Sequence, residues 1–187
     1  MLKKSIILVF LFCIGILYAD YFPLNIGNKW EYSISGYIIS YDEITGIEVI
    51  NGKTYYIQKD SYGNIIDKLR AENNNVYYYY SSINNDLLLY KFNANVGEKW
   101  NLNMSEMVSR TETVITPAGT YTNCLHIVYF YPYSTTKIEY WFADNIGIVK
   151  KRFWNNENST ELLLAKSTII PLSISDTNWG SIKSLFK

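Results

Sequence analysis

Strict two-residue alternation constrains this chain more than any other feature. From Trp30, the residues Trp30, Tyr32, Ile34 and Ile38 fall on one side, with Lys29, Glu31, Ser33 and Ser35 on the other. Further along, Ile138, Tyr140 and Phe142 oppose Lys137, Glu139 and Trp141. A period of two is the signature of a strand with one face in a core and one in water. The spacers agree. Asn51-Gly52, Gly63-Asn64, Asn73-Asn74-Asn75, Asn84-Asn85-Asp86, Pro117-Ala118-Gly119, Asn145–Gly147 and Asn155–Asn158 are turn clusters. Asn-Gly is the strongest of these, because both central residues of a tight hairpin turn take positive φ. Short strands, short turns and no helical period before the C-terminal tail predict an all-β antiparallel meander of roughly ten to twelve strands. A sheet this wide curls into a barrel or half-barrel to bury one face. Trp30, Trp100 and Phe142 are its expected core anchors.

The two ends depart from this pattern. Lys3 and Lys4 precede an apolar run from Ser5 to Leu17, followed by Ala19 and Asp20. That order predicts a signal peptide over 1–19, cleaved after Ala19. The run is shorter than the about 20 residues a membrane-spanning helix needs, and Cys13 sits inside it rather than at a lipidation point. Residues 20–170 are the expected β domain, large enough for a core without a disulfide. Residues 171–187 read as a linker and a short amphipathic tail, with Trp179, Ile182 and Phe186 at helical spacing. Pro171 ends the strand pattern because it cannot donate to a ladder.

The charge balance narrows the partners. Removing Lys3 and Lys4 from 17 basic residues leaves 15, against 17 acidic ones. With no basic stripe, nucleic acid and anionic membrane surfaces are not expected partners. No second apolar segment of membrane length follows, so no transmembrane anchor is expected after cleavage. The expected location is the periplasm or the exterior. Cys124 is then the one remaining thiol, and no internal disulfide can form.

Catalytic chemistry finds little support. His126 is the only histidine, and a Cys124–His126 dyad would need hydrogen-bond contact. Residues i and i+2 on a strand are roughly 7 Å apart, so a buried thiol beside a rim histidine is the plainer expectation. Glu43, Glu48, Glu139 and Asp144 could supply paired carboxylates for glycoside hydrolysis, but no spacing selects a pair. No metal-ligand cluster, phosphate loop, nucleotide fingerprint or nucleophile elbow occurs. No catalytic, metal or ligand-binding residue is therefore assigned, and no cofactor is expected. The heavy use of Tyr and Asn suits strands and turns. One segment stands out. Tyr77-Tyr78-Tyr79-Tyr80 followed by Leu87-Leu88-Leu89-Tyr90 is apolar on both faces, which implies cover on both sides or a pocket on one.

An internal echo joins Asn25-Ile26-Gly27-Asn28-Lys29-Trp30 to Asn95-Val96-Gly97-Glu98-Lys99-Trp100. Two copies suggest two sheet halves that begin alike, not a solenoid. The opening run Phe22-Pro23-Leu24-Asn25-Ile26-Gly27-Asn28-Lys29-Trp30-Glu31-Tyr32 resembles that of a TapB-like family of bacterial exported proteins of unknown function. So do Thr116-Pro117-Ala118-Gly119-Thr120-Tyr121 with Cys124-Leu125, and the run from Tyr140 to Lys150. The resemblance spans most of residues 21–166. It implies a curved antiparallel sheet similar to periplasmic lipoprotein-carrier half-barrels, and it carries no catalytic residues. The leading functional expectation is an exported β domain whose concave apolar face holds a lipid-like or hydrophobic small molecule. The alternative is a structural or interaction module that docks an envelope protein. A hydrolase comes third.

Overall fold

The computed structural model describes residues 20–170. The expected signal segment (1–19) and the expected helical tail (171–187) lie outside the described residues. Twelve strands follow one another: β1 (Lys29–Ile34), β2 (Tyr37–Ile50), β3 (Lys53–Asp60), β4 (Ile65–Glu72), β5 (Asn75–Tyr80) and β6 (Asn85–Lys91). The second half comprises β7 (Lys99–Trp100), β8 (Ser105–Thr116), β9 (Gly119–Phe130), β10 (Lys137–Ala143), β11 (Gly147–Asn155) and β12 (Asn158–Thr168). The one helical piece among the described residues is a 3-10 turn at Ser81–Ile83.

All twelve belong to one antiparallel sheet, ordered β6-β5-β4-β3-β2-β1-β12-β11-β10-β9-β8-β7. Every consecutive pair forms a hairpin except β6 and β7, which are the two edges. The β1–β12 ladder, from Lys29 opposite Thr168 to Ser33 opposite Leu163, joins the two halves. The sheet curls into a nearly closed barrel, leaving a seam between β6 and β7. Side chains bridge that seam where no ladder does. The Trp100 indole N–H donates to Leu89 O at 3.1 Å, and Arg110 Nη1 donates to Phe92 O and Ala94 O, both at 2.8 Å. An ion pair between Lys91 and Glu98 crosses the same gap.

The echo seen in the sequence is an echo in space. Gly27 N donates to Ile44 O, and Gly97 N to Met107 O. Asn28 N donates to Asn25 O, as Glu98 N does to Asn95 O, and Ile44 N returns to Asn28 O as Met107 N does to Glu98 O. Both glycines hold positive φ, +92° and +82°, which side chains disfavour. Each turn delivers a tryptophan whose indole N–H donates to a backbone carbonyl, Trp30 to Ile146 O at 2.5 Å and Trp100 to Leu89 O. The chain is thus a pseudo-twofold of six strands each, and the β6–β7 seam occupies the place equivalent to the β1–β12 ladder.

Hairpins alternate between the two ends of the barrel. One end is sealed. Segment 20–28 folds across it, anchored by Asn145 N on Asp20 O at 2.9 Å and by Asn28 Nδ2 on Pro23 O at 2.8 Å. Phe22 stacks flat on Trp30, their ring centroids 5.3 Å apart, and packs edge-on against Phe142 and Tyr90. Trp30, Trp100 and Phe142 are all buried, as alternation predicts. The inward face around this plug is apolar.

Two details of the alternation fail near the first turn. Ser35 and Gly36 both take positive φ, +50° and +85°, and form a hairpin turn that cuts the expected strand. Ile38 therefore belongs to β2, where the ladder steps from Tyr32 opposite Ser40 to Ser33 opposite Ile38 and leaves Ile39 as the extra residue. Ile38 is exposed, and Ser33 is buried. A bulge inserts one residue and reverses the faces beyond it.

Candidate functional site

The other end of the barrel is open. Above the aromatic plug, the inward strand positions line a cavity of about 230 Å³. Its walls are five tyrosines, Tyr78, Tyr90, Tyr129, Tyr131 and Tyr140, with Leu89, Ile127 and Ile138 between them. Ser105 and Asp67 supply its remaining polar groups. A second lobe of about 280 Å³ shares Asp67, Tyr90 and Tyr140 and adds Asp42, Gln58, Asp60 and Lys151. Cross-strand pairing explains the lining: Tyr140 lies opposite Ile127 and Ile138 opposite Tyr129, so their side chains share the inner face.

The charged groups in this cup differ in how they are satisfied. Asp42 pairs with Lys151, whose ammonium also lies 4.2 Å from the Tyr32 ring centre. Asp60 accepts backbone N–H groups from Tyr62 and Asn64, both at 2.9 Å, and the Asn64 amide at 3.1 Å. The Asn64 amide leads in holding its carboxyl below the usual range. Asp67 has no hydrogen-bond or ion-pair partner among the described residues. Burial pushes its carboxyl up from 3.8 to about 6, the Asp42 charge adds to this, and Lys151 opposes it. Burial likewise raises the phenols of Tyr90 and Tyr140, so both stay neutral at ordinary pH.

The tyrosine hairpin is covered on one side and forms a pocket on the other. On the inner face Tyr78 and Leu89 line the cavity. On the outer face the tip of the β2–β3 hairpin lies over β5 and β6. Tyr55 meets Tyr79 edge-on at 5.6 Å, Lys53 pairs with Asp86 at 2.9 Å, and Asn51 Nδ2 donates to Asn84 Oδ1 at 3.2 Å. Beneath it, the Arg70 guanidinium sits 4.6 Å from the Tyr77 ring.

The residues weighed for catalysis do not converge. Cys124 Sγ donates to Tyr121 O at 3.4 Å, and burial pushes its thiol up to about 11, far from a reactive thiolate. His126 Nδ1 engages Glu112 Oε1 at 2.8 Å instead. His126 also stacks on Trp141 at 4.1 Å, and the Trp141 indole N–H donates to Glu112 Oε2 at 2.5 Å. Burial is the main influence on His126 and lowers its pKa, although Glu112 pulls the other way. Trp141 faces outward as alternation predicts, yet it is buried beneath Lys150, Arg152 and His126. Glu48 pairs with Lys68, and Glu139 pairs with Lys137 and Arg152. Glu43 lies on β2 beside Lys29, and Asp144 sits in the β10–β11 turn, so no pair among the four faces a common cleft. Among the described residues no group of three or more His, Cys, Asp or Glu could hold a metal ion, and no helix is long and apolar enough to cross a membrane.

Sequence reasoning missed Asp42, Gln58 and Asp67 as inward polar residues. Counting back by two from buried Leu69 reaches Asp67, but Ile65-Ile66 obscures that count.

No protein-family model matches the chain, and no curated protein matches it either. Two solved structures align with most of it. One is a protein inferred to be exported, with a YmcC-like fold, from Bacteroides fragilis NCTC 9343; it is 18% identical over 81% of this chain and 100% of its own, with a TM-score of 0.47. The other is an inferred lipoprotein from Parabacteroides distasonis ATCC 8503, 16% identical over 80% of this chain and 99% of its own, with a TM-score of 0.48. Neither comparison names a TapB-like family, and neither bears on the chemistry of the cup.

Proposed function

We propose that this chain is an exported β-barrel that binds a small molecule in the open end of the barrel. The observation that carries the reading is the tyrosine-walled cavity held above a sealed aromatic floor. Concave, mostly apolar pockets with a few placed polar groups are where small molecules bind. Export rests on the residue order in 1–19, and the resemblance of the turn motifs to a family of exported proteins is in keeping with it. Two lobes of about 230 and 280 Å³, closed below by Phe22, Trp30 and Phe142, favour a compact amphipathic ligand over a long acyl chain. Native mass spectrometry of protein purified from its own host tests this. The expected result is a copurified small molecule that is absent from an Ile127→Trp variant, whose larger side chain fills the cup. Equal ligand content in the two proteins overturns the reading.

A second reading, an interaction module of the envelope, is favoured by the rim. Tyr37, Ile38, Tyr62, Leu102 and Tyr133 are exposed on the hairpins around the mouth, an uncommon density of apolar groups for open surface. Replacing Tyr37, Tyr62 and Tyr133 with serine separates the readings: ligand content is unchanged under the first, and a crosslinked envelope partner is lost under the second.

A further inference from the structure

We infer that the ligand of this cup carries a positively charged nitrogen, seated against the Asp67 carboxylate and within the tyrosine walls. The inference rests on the small-molecule reading above and names the class of molecule.

Three carboxylates and one ammonium line the two lobes: Asp42, Asp60 and Asp67 against Lys151. Asp42 has Lys151, and Asp60 has the amides of its own turn. Asp67 alone lacks a partner among the described residues, and it stands in the wall common to both lobes. Asp67 is half-buried. A carboxylate partly withdrawn from water without a partner is costly, and a neutral ligand that excluded more water would raise that cost. An anionic ligand would add repulsion in a cup that already has surplus negative charge. A cation supplies the missing half of an ion pair where solvent screening is weak.

The walls point the same way. Tyr78, Tyr90 and Tyr140 line the same cavity as Asp67, so a nitrogen seated against the carboxylate lies among aromatic rings. Ring faces attract ammonium groups, and cages of aromatic residues recognise them. The other polar groups of the shared lobe are Ser40, neutral Gln58, the Asp42–Lys151 pair and Asp60, whose carboxylate is held by its own turn.

The test is calorimetric titration of the mature protein with phenethylamine, putrescine and choline, beside 2-phenylethanol and 3-phenylpropionate. At pH 8 at least one of the three cations is expected to bind, with the alcohol and the acid at least tenfold weaker. Asp67→Asn, close in shape, is expected to weaken the cation tenfold or more and to leave 2-phenylethanol unchanged. Independently of any variant, cation affinity is expected to fall about tenfold per pH unit once the carboxylate protonates, below about pH 6. If the alcohol binds as well as the amine, or cation affinity ignores both pH and Asp67→Asn, the charge inference fails and the cup reading survives. If none of the five probes binds, the charge inference fails, and the cup reading fails with it if the host-purified protein carries no ligand.

Discussion

An unpaired acid in a binding cup should weaken the empty fold, and Asp67→Asn measures by how much. The substitution keeps the shape and removes the ionisation. The folded carboxyl titrates at about 6 against an ordinary 3.8. A gap of about two pH units, at about 1.4 kcal/mol each, gives a penalty of order 3 kcal/mol. The sign follows from proton binding. The folded state holds this proton more tightly than the unfolded chain, so the penalty is absent below about pH 4. It grows as pH rises toward the folded value of about 6 and is complete above it. The asparagine amide also lacks a partner, so a gain of about 1–3 kcal/mol is expected at pH 7.5. For a domain of this size that raises Tm by roughly 2–4 °C per kcal/mol. Thermal melts of both proteins at pH 3.5, 5 and 7.5 provide the comparison, and other carboxylates cancel because the two chains share them. The two Tm values should converge at pH 3.5 and separate at pH 7.5. A gap that is the same at all three pH values, or a variant less stable at pH 7.5, refutes the reasoning.

Trp30→Ala removes the ring on which Phe22 stacks and should cost about 3–5 kcal/mol, read by urea denaturation. Gly147→Ala places a Cβ 2.8 Å from Trp30 Nε1 at a φ of +101°. It should cost about 2–4 kcal/mol, whereas Gly36→Ala, with nothing within 4 Å, should cost about 1–2 from backbone strain alone. Cys124→Ser and His126→Gln should leave amine titrations unchanged in variants shown by circular dichroism to be folded. N-terminal sequencing of exported protein should begin at Asp20.

The fold was legible because alternation and turn chemistry act locally. Asn51-Gly52 and Asn145–Gly147 mark turns wherever they occur, and Trp30, Tyr32 and Phe142 need one buried face whatever the topology. The cup was harder to see. Period two says which residues share a face, but it loses count at each bulge. The shifts after Tyr32, Gln58 and Val76 all fall in the strands that build the cup. Asp67 follows Ile65 and Ile66, two adjacent apolar residues that give no alternation to count from, and both are exposed. The tyrosine hairpin gave a correct hint without a choice, because a distant hairpin tip covers its outer face and no local pattern encodes that.

The ladder between β1 and β12 sets a clock on folding. Lys29 finds Thr168 opposite it, so the first strand to leave the ribosome waits for the last. Until then the β1 edge of the first six strands has no neighbour on that side, and Trp30 lacks the Ile146 carbonyl its indole N–H requires. Long-range pairing of this kind slows folding because chain closure must precede its reward. A chain that cannot finish its barrel until β12 arrives keeps its two halves unjoined in the meantime. On the export reading proposed above, that delay would suit passage through a translocation pore.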